Sequence, residues 1–444
     1  MGEAWAKLSQ EERWEERFNS WLLPKGIEFS NPESERSYKE RVTRFADAIR
    51  LREADRVPVA MALDFFPAFH SGITPEEAMY DYEKLGPAWT KWAGYFDMDA
   101  FFSPGPIGPG RVFETLDYRL YKWPGHGTDP NTTYQYVEDE YMKAGEYDLL
   151  IADPSDFWLR VYLPRIFGAL EPLQQLAPLT DIIEMPITAP CLVPFGEPDV
   201  QRALEALMAA GKQALEWSQI IGHVNTGAMA AGYPLMSGGM SKAPFDTLGD
   251  TLRGTHGIYM DMFRQPDKLL EAMERLVPLE IKRGVSGATA NGVPVVFMPL
   301  HKGADGFMSH EQFDTFYWPT LRQVILGLVN EGIVPMLFAE GGYNSRLEAI
   351  KDLPRGKVIW HFDQTDMARA KQVLGDTSCI MGNVPAPLLF SGTPSEVAEY
   401  CRELIETVGK GGGFILAEGA VIDEGRPENI RAVVEAAKEF GVYG

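Results

Sequence analysis

The sequence predicts an α/β protein, and specifically a (β/α)8 TIM barrel. Short apolar runs alternate with longer amphipathic stretches from residue 57 to the end of the chain. This alternation predicts parallel strands joined by right-handed helical crossovers, and about eight such units in one chain favour a closed barrel over an open sheet. The predicted strands span residues 57–64, 100–104, 182–189, 233–239, 293–300, 334–340, 357–363, 379–384 and 413–418.

Two other regions flank or interrupt the strand pattern. Residues 1–55 are charged and helix-prone, with tryptophans spaced as apolar stripes, which predicts an N-terminal helical extension packed on the main body. Residues 56–444 are the predicted barrel catalytic domain. Within it, residues 105–177 break the rhythm with glycines, prolines and many tyrosines. We interpret them as an insertion after the second strand, which either helps to roof the barrel mouth or is a peripheral excursion.

The composition is that of an acidic protein, with a formal net charge of -22 and a pI near 4.8. Its basic residues are not clustered, which argues against sequence-independent nucleic-acid binding. The three cysteines form no C-x-x-C pair, no apolar run reaches the ~18 residues of a membrane span, and the first residues do not read as a secretory leader. We therefore expect a reduced, cytoplasmic protein with no membrane partner.

Charged and imidazole side chains stand at the ends of several predicted strands, where barrel enzymes carry their chemistry. Glu340 and His361 are the first candidates. His301 ends the fifth predicted strand and is a candidate metal ligand or general acid, or a satisfied structural histidine. Asp363 shares a strand face with His361, so it either orients that imidazole or caps the following helix. In the expected reaction, His301 or Asp363 assists with the proton. Asp64 is the sole charge at the end of the first strand and is a candidate substrate contact.

Aromatic residues accompany these candidates. Phe338, Tyr343 and Trp360 lie within or just after the two strands that carry Glu340 and His361. They are candidates for an aromatic wall that binds a planar substrate. The alternative is that they fill the hydrophobic core.

Four sequence blocks in the last third of the chain carry a family resemblance. They read G-N-V-P at 382–385, G-T-P-S-E-V at 392–397, G-G-G-F-I-L at 411–416 and R-P-E-N-I at 426–430. Together they resemble the uroporphyrinogen decarboxylase superfamily, which also contains cobalamin-dependent methyltransferases. The resemblance implies a (β/α)8 barrel, in agreement with the strand rhythm.

The chain departs from the decarboxylase branch of that superfamily at two motifs. The decarboxylases carry an arginine-rich motif after the first strand and an essential aspartate in F-S-D after the second. The corresponding stretches here read A-M-A-L-D-F-F at 60–66 and F-F-S-P at 101–104, so Pro104 stands where the aspartate is expected. Porphyrinogen decarboxylation is therefore not the expected activity.

The chain also departs from the methyltransferase branch, which binds zinc through H-x-C on the sixth strand and a later cysteine. Phe338, Glu340 and Ala420 occupy those three positions, so the resemblance implies that a thiol-activating zinc site is absent. Glu340, His361 and Glu418 instead fall at strand ends on one predicted face. They would form an oxygen-rich site suited to zinc as a Lewis acid. The alternative is a metal-free pocket in which Glu340 and His361 form hydrogen bonds.

The expected function follows from the resemblance and these departures. It is the transfer of a methyl group from a small methylated substrate, with a methoxylated aromatic as the expected class, to Co(I) of a separate corrinoid protein. The corrinoid is placed on a partner because no D-x-H-x-x-G motif occurs in the chain. A decarboxylase of a smaller acid and a non-catalytic binding protein on the same fold are the alternatives. The sequence leaves the oligomeric state open, with a homodimer as one option.

Overall fold

The N-terminal extension seals one end of the barrel in the computed structural model, which describes residues 3–444. Ser9 and Asn31 begin the two longer helices by accepting backbone N–H groups at their first turns, as helix N-caps do. Trp21 and Phe45 reach the barrel interior beside Met336 and Ile359. The predicted helical extension is thus confirmed as α1 (Glu3–Ala6), α2 (Gln10–Leu22) and α3 (Pro32–Ile49).

The strands form a small sheet in the insertion and a six-stranded parallel sheet in the barrel. The small sheet has the order β2-β1-β3, and the barrel sheet runs from β4 to β9 in sequence order. The strands are β1 (Tyr121–Pro124), β2 (Gly127–Thr128), β3 (Gln135–Tyr136), β4 (Gly239–Met240), β5 (Val295–Leu300), β6 (Val334–Ala339), β7 (Ile359–Phe362), β8 (Cys379–Val384) and β9 (Phe414–Glu418).

Backbone hydrogen bonds outside these strands complete the ring. The Ala60 N–H donates to the Leu416 carbonyl at 3.1 Å, so the first apolar run pairs with β9. On its other side the Asp99 N–H donates to the Val59 carbonyl at 2.9 Å. Phe101 in turn bridges to Leu235, in the segment that leads into β4. Eight consecutive segments are therefore linked around a ring, which confirms the predicted (β/α)8 architecture.

The helices surround this ring and fill the insertion. None in the described part of the chain has both the length and the apolar character to cross a bilayer. The remaining α-helices are α4 (Phe66–Ser71), α5 (Pro75–Tyr80), α6 (Tyr82–Tyr95), α7 (Gly110–Leu116), α8 (Tyr147–Ala152), α9 (Pro154–Phe157), α10 (Leu163–Ile166), α11 (Met185–Gly196), α12 (Pro198–Ala230), α13 (Pro244–Asp246), α14 (Gly254–Arg264), α15 (Pro266–Asn291), α16 (His310–Gln312), α17 (Trp318–Asn330), α18 (Met367–Leu374), α19 (Ala386–Ser391), α20 (Pro394–Leu404) and α21 (Pro427–Phe440). Shorter 3-10 turns span Gly105–Ile107, Ala144–Glu146, Gly168–Gln175 and Leu179–Asp181, and π-helical turns span Trp158–Tyr162, Thr247–Leu252, Phe313–Tyr317 and Ile405–Gly409.

One predicted strand is wrong. Residues 182–189 do not join the barrel sheet, because they enter α11, and the third barrel segment is reached only at about Leu235. A short apolar run has no periodicity that separates a buried strand from a helix. Three prolines, Pro186, Pro190 and Pro194, also lie in this run or just after it.

Hydrogen bonds join the insertion to the barrel mouth. The Tyr134 hydroxyl donates to the Asp64 carboxylate at 3.2 Å, beyond the first barrel segment. The Met142 N–H donates to the Leu252 carbonyl at 2.7 Å, in the loop that follows β4. The small sheet thus lies over the carboxyl ends of the barrel strands, where β/α-barrel enzymes build their active sites.

Candidate active site

Two charged side chains meet where neighbouring strands end. β5 and β6 pair with Leu300 opposite Ala339, so the residues that follow, His301 and Glu340, leave the sheet side by side. Nε2 of His301 lies 3.5 Å from Oε1 of Glu340. The His301 side chain is 36% exposed and that of Glu340 is 45% exposed. This pair is therefore open to solvent at the barrel mouth.

The other side of the imidazole is held by Asp250, from the π-helical turn after β4. Oδ2 of Asp250 lies 2.6 Å from Nδ1 of His301 and 2.7 Å from Nζ of Lys242. Oδ1 of Asp250 lies 3.1 Å from Nζ of Lys302. One carboxylate thus fixes three potential cations.

A second carboxylate fixes the backbone of the same segment. Asp246 is fully buried and accepts the backbone N–H groups of His301 at 3.1 Å and Lys302 at 3.0 Å. It also accepts the Tyr317 hydroxyl at 2.7 Å. Burial, together with the nearby Asp250 charge, raises the pKa of Asp246. Asp246 therefore sets the direction in which His301 leaves its strand.

The charges around His301 decide its protonation state. Burial alone would lower the pKa of His301, but the hydrogen bonds with Asp250 and Glu340 raise it to about 10. Burial also opposes ionisation of Asp250, yet the His301 hydrogen bond and the Lys242 ammonium hold the pKa of that carboxyl below its usual range. At neutral pH His301 is an imidazolium whose Nδ1–H donates to Asp250. Its Nε2–H faces Glu340 and solvent.

The three predicted metal ligands are not gathered around one point. Glu340 lies beside His301, whereas Nε2 of His361 lies 2.6 Å from the backbone carbonyl of Glu418. The Glu418 carboxylate accepts the Ala62 N–H at 3.1 Å. Across residues 3–444, no group of three or more His, Cys, Asp or Glu side chains is arranged to hold a metal ion.

This arrangement does not fit the predicted zinc ion at Glu340, His361 and Glu418. The physical reason is that the imidazole and the carboxylate are each engaged by backbone groups of neighbouring strands, which a strand-end position in the sequence does not reveal. The zinc centre stays a prediction from the sequence.

His361 and Glu418 are nevertheless unusual in their protonation. Burial lowers the pKa of His361 to about 4, so the ring is neutral. Because a carbonyl oxygen can only accept, Nε2 carries the proton, and Nδ1 has no hydrogen-bond partner. Burial raises the pKa of Glu418 to about 7. The imidazole is therefore neutral in this sealed layer, and the Glu418 carboxyl group keeps its proton until the pH approaches 7.

Asp363 supports a loop and does not contact the His361 ring through a hydrogen bond. Its Oδ2 accepts the Gly341 N–H at 3.0 Å, immediately after Glu340. Asp366, not Asp363, caps the following helix α18. Burial raises the pKa of Asp363. The orienting and capping roles predicted for Asp363 are therefore wrong, and its observed role is to position the Glu340 turn. Its part in assisting the proton stays a prediction.

The three predicted aromatic residues face two different layers. Phe338 points into the barrel, with its ring centroid 4.6 Å from that of His361 and 5.7 Å from that of Phe297. Trp360 points the opposite way and stacks on Phe362 with ring centroids 5.9 Å apart. Consecutive strand residues alternate between faces, so Trp360 cannot share the face of His361. Its prediction as a substrate contact is wrong.

Tyr343 is also removed from the mouth. It is fully buried, its ring centroid lies 6.4 Å from that of Trp360, and its backbone N–H donates to the Thr365 hydroxyl at 3.0 Å. The loop after β6 turns this side chain back into the layer between strands and helices. Tyr343 is therefore a core residue and not a substrate contact.

Asp64 lies under the insertion. Its carboxyl group is buried, and Oδ1 has no hydrogen-bond partner, whereas Oδ2 accepts the Tyr134 hydroxyl. Burial and the nearby carboxylate of Asp423 raise the pKa of Asp64 to about 7. Asp64, a predicted substrate contact, is thus hydrogen-bonded to the insertion and buried from solvent.

Sequence reasoning missed the residues that control His301. Asp246 and Asp250 are four residues apart just after the third strand, and one helical turn places such residues on the same face. That spacing, next to a strand end, was the available signal. Lys242 has no comparable signal, because its role depends on where the loop folds.

Comparisons with known proteins give a family and a fold. The family model described as Uroporphyrinogen decarboxylase (URO-D) matches residues 216–440. No functionally curated protein matches the chain. A solved structure described as a methyltransferase from Methanosarcina mazei is 16% identical, covers 90% of this chain and 98% of its own, and has a TM-score of 0.56. A B12-independent methionine synthase from Shewanella sp. W3-18-1 is 10% identical over 45% of this chain and 59% of its own, with a TM-score of 0.31.

Proposed function

Because the chain belongs to the uroporphyrinogen decarboxylase (URO-D) family, we propose that it is a methyltransferase built on that family's barrel. It takes the methyl group of a small methylated substrate, with a methoxylated aromatic as the substrate class, and gives it to Co(I) of a separate corrinoid protein. The similar fold of the Methanosarcina mazei methyltransferase supports the reaction type. The family match itself confirms the resemblance carried by the C-terminal motifs.

The observation that carries the proposal is the imidazolium of His301 at an open strand end. An alkoxide or phenoxide leaves poorly from a methyl group until an acid neutralises its developing charge. His301 offers such an acid, since its pKa is raised to about 10 and its Nε2 edge faces solvent beside Glu340. A positioned general acid contributes roughly 10²- to 10⁴-fold in rate.

In the proposed step, the bond between the methyl carbon and the substrate oxygen breaks. The oxygen keeps the bonding electron pair and takes the proton from Nε2 of His301. The corrinoid would supply Co(I), whose electron pair forms the new bond to the methyl carbon. Asp250 keeps the ring oriented through Nδ1. Glu340, which is partly exposed beside Nε2, would return the proton from solvent.

Aromatic groups on both sides of the mouth support an aromatic substrate. Phe297 is partly exposed in the barrel below the strand ends, where it packs on the buried Phe338. In the insertion above, Tyr121 contacts both Tyr134 and Tyr136 edge to face. A planar ring would be favoured by such surfaces, because aromatic pairs gain about 0.5–1.5 kcal/mol beyond burial of their area.

Two alternatives keep the same barrel. A decarboxylase of a smaller acid could use the His301 proton to quench a carbanion and would need no corrinoid. A non-catalytic binding protein would use neither. Release of carbon dioxide in the absence of corrinoid separates the first alternative from methyl transfer.

The test is a methyl-transfer screen against free cob(I)alamin, followed by its absorbance, with aryl methyl ethers, methylamines and methyl thiols as donors. We expect aryl methyl ethers to react and His301→Gln to lower kcat by about 10²- to 10⁴-fold. His310→Gln is the matched control, because His310 is an exposed histidine on α16. Full activity in His301→Gln would overturn the mechanism, and carbon dioxide release without any methyl transfer would overturn the function.

A further inference from the structure

Met240 is an apolar side chain that stands uncovered inside the barrel. It is 56% exposed, although it belongs to β4, a strand of the barrel sheet. Among the residues that the structure describes, no other large apolar side chain of strands β4 to β9 is mostly exposed. Barrel interiors are normally filled by packed side chains. An uncovered apolar side chain at such a place therefore lines a cavity, as apolar side chains do in ligand pockets.

The neighbours of Met240 fix the direction in which it points. Met240 pairs in register with Phe297 of β5, which in turn pairs with Met336 of β6. Met336 lines the barrel interior, and residues paired in a parallel ladder share a face. Gly239 faces the opposite way, since a Cβ there would lie 2.9 Å from the Cα of Gly287 on α15. Consecutive strand residues alternate between faces, so Met240 points into the barrel.

Met240 and Phe297 together form an apolar wall below His301, and we call these two residues the apolar wall. Phe297 is partly exposed, and its ring packs on that of Phe338 with centroids 5.7 Å apart. Phe338 packs in turn on the buried His361 ring at 4.6 Å, so the layer behind the wall is closed. Phe297 precedes His301 by four residues, which places both on the inner face, about 13 Å apart along the strand.

The apolar wall lies on the open side of the barrel mouth. His301 and Glu340, at the ends of β5 and β6, are both partly exposed. On the other side of the ring Asn383 at the end of β8 is buried, and Asp64 is buried beneath the Tyr134 hydroxyl. A small molecule whose polar end contacts His301 therefore has the apolar wall, and not the closed side, available for its apolar end.

We propose that the apolar wall binds the ring of the substrate and that Met240 determines which substituents this ring can carry. This inference rests on the proposed function and narrows its substrate class to aryl methyl ethers that are apolar at the ring edge remote from the methoxy group. With the methoxy oxygen at Nε2 of His301, that edge lies towards Phe297 and Met240. Methionine is flexible, and its sulfur makes favourable contacts with aromatic rings.

Size and charge favour a single apolar ring as the occupant of this place. The interior of an eight-stranded barrel is wide enough only for packed side chains or one small ligand. Met240 lies in register with Phe297, deeper in the barrel than His301, so a benzene ring reaches it and a corrin macrocycle does not. A carboxylate or ammonium group on the ring would lose its hydration against the apolar wall without gaining a partner. Charged substituents are therefore excluded at this edge.

Methionine-methyl NMR of the full chain tests the site without any corrinoid. The signal of Met240 is identified by its absence from Met240→Ala, and 4-methylanisole is the probe. We expect this signal to shift saturably as the probe is added, because the ring would lie against the methyl group. The signal of Met208, which is 63% exposed on α12, is the matched control and should not move. A Met240 signal that shifts with cobalamin alone, or with neither compound, would overturn the site.

Methyl transfer to free cob(I)alamin then separates the site from the proposed function. Met240→Ala should raise the ratio of kcat/KM for 4-tert-butylanisole to that for 4-methylanisole at least about tenfold, because the shorter side chain leaves room for the larger group. The pH profile of kcat should stay that of the wild type, since His301 is untouched. Met240→Leu should restore the wild-type ratio, and Met208→Ala should leave it unchanged.

The two measurements fail in different ways. Met240 is mostly exposed, so Met240→Ala should unfold at the wild-type temperature, and this shows that the variant folds. Methyl transfer with an unchanged ratio in Met240→Ala would overturn Met240 as the residue that determines specificity. A saturable shift of the Met240 signal without any methyl transfer would support the binding site and overturn the proposed function.

Discussion

His301 and His361 both lie near the carboxyl ends of barrel strands, with His361 two residues deeper in the register, and they have opposite chemistry. His301 follows β5, and His361 lies near the end of β7. The carboxylates of Asp250 and Glu340 raise the pKa of His301 to about 10. At His361, burial without a charged partner lowers the pKa to about 4. One ring is a cation at the surface of the mouth, and the other is neutral within the sealed layer.

The contrast shows what a strand end does and does not determine. It brings a side chain to the mouth, but the residues that reach it from other loops set its charge. Enzymes separate the roles of like residues in this way, by giving them environments that push their pKa values apart. At this mouth, Asp250 in the segment after β4 makes His301 the proton donor, because it raises the pKa of that residue.

The largest expected effect comes from breaking the His301 partnership. Asp250→Asn leaves Lys242, Lys302 and His301 without the carboxylate they share. Removing one partner of a largely buried ion pair costs about 3–5 kcal/mol. We expect the free energy of unfolding, measured in urea, to fall by that amount. Histidine NMR should show the pKa of His301 falling from about 10 towards its ordinary value.

The control for this variant is an exposed ion pair. Asp352 lies 2.9 Å from Arg322 with its side chain 87% exposed, and such pairs contribute about 0–1 kcal/mol. Asp352→Asn should therefore leave both the unfolding free energy and the His301 titration nearly unchanged. Equal losses in the two variants would mean that the Asp250 cluster is not a tight ion network.

The strand pattern in the sequence predicted which residues lie at the barrel mouth, but it could not predict their binding partners. The rhythm predicted the barrel and placed His301 and Glu340 at neighbouring strand ends, which the structure joins. It also placed His361 and Glu418 there. Which atoms they bind depends on backbone groups of other strands, such as the Ala62 N–H, and no local pattern encodes those contacts.

Two errors had signals that were available in the sequence. Trp360 and His361 are consecutive, and period-2 alternation already puts them on opposite faces. The apolar run at 182–189 contains Pro186, with Pro190 and Pro194 close behind it, whereas the barrel strands β5 and β6 contain a single proline each. The role of Asp250 could not be predicted in this way, because it depends on a segment that folds back onto the end of β5.

Acid conditions should lower the free energy of unfolding, because the buried His361 resists protonation. The folded pKa of His361, about 4, lies below its unfolded value, so the unfolded chain binds the proton first. The stability that the neutral ring provides is complete above about pH 6.5 and is lost as the pH falls towards 4. A shift of this size on a buried group corresponds to about 3 kcal/mol.

The measurement compares unfolding free energies of the wild type and His361→Asn between pH 4 and 7. The two curves must be subtracted because Glu418 and Asp64 also make the free energy of unfolding depend on pH. Their pKa values are raised to about 7, so their contribution falls as the pH rises. The difference curve should slope only below pH 6.5. His310→Asn serves as the exposed-histidine control, and a flat difference curve for His361→Asn would contradict the sealed environment.

Alkaline conditions should remove the stability that the charged His301 contributes. The folded pKa of His301, about 10, lies above its unfolded value. Its contribution is therefore complete below about pH 6.5 and is lost as the pH rises through 10. Because the side chain is about one third exposed, screening by solvent reduces the effect to about 2 kcal/mol. His301→Gln should remove this slope between pH 7 and 10, and an unchanged slope would place the alkaline loss on other groups.

The smallest effect should come from substitution of Glu340. Its size shows whether Glu340 or Asp250 sets the pKa of His301. Glu340 is 3.5 Å from Nε2 and nearly half exposed, whereas Asp250 is 2.6 Å from Nδ1 and mostly buried. Water screens the first interaction much more than the second. Glu340→Gln should therefore lower the pKa of His301 by less than about one unit and change the unfolding free energy by less than about 1 kcal/mol. If histidine NMR instead showed a fall as large as that in Asp250→Asn, Glu340 would share control of the proton, and the contrast between an open and a buried partner would fail.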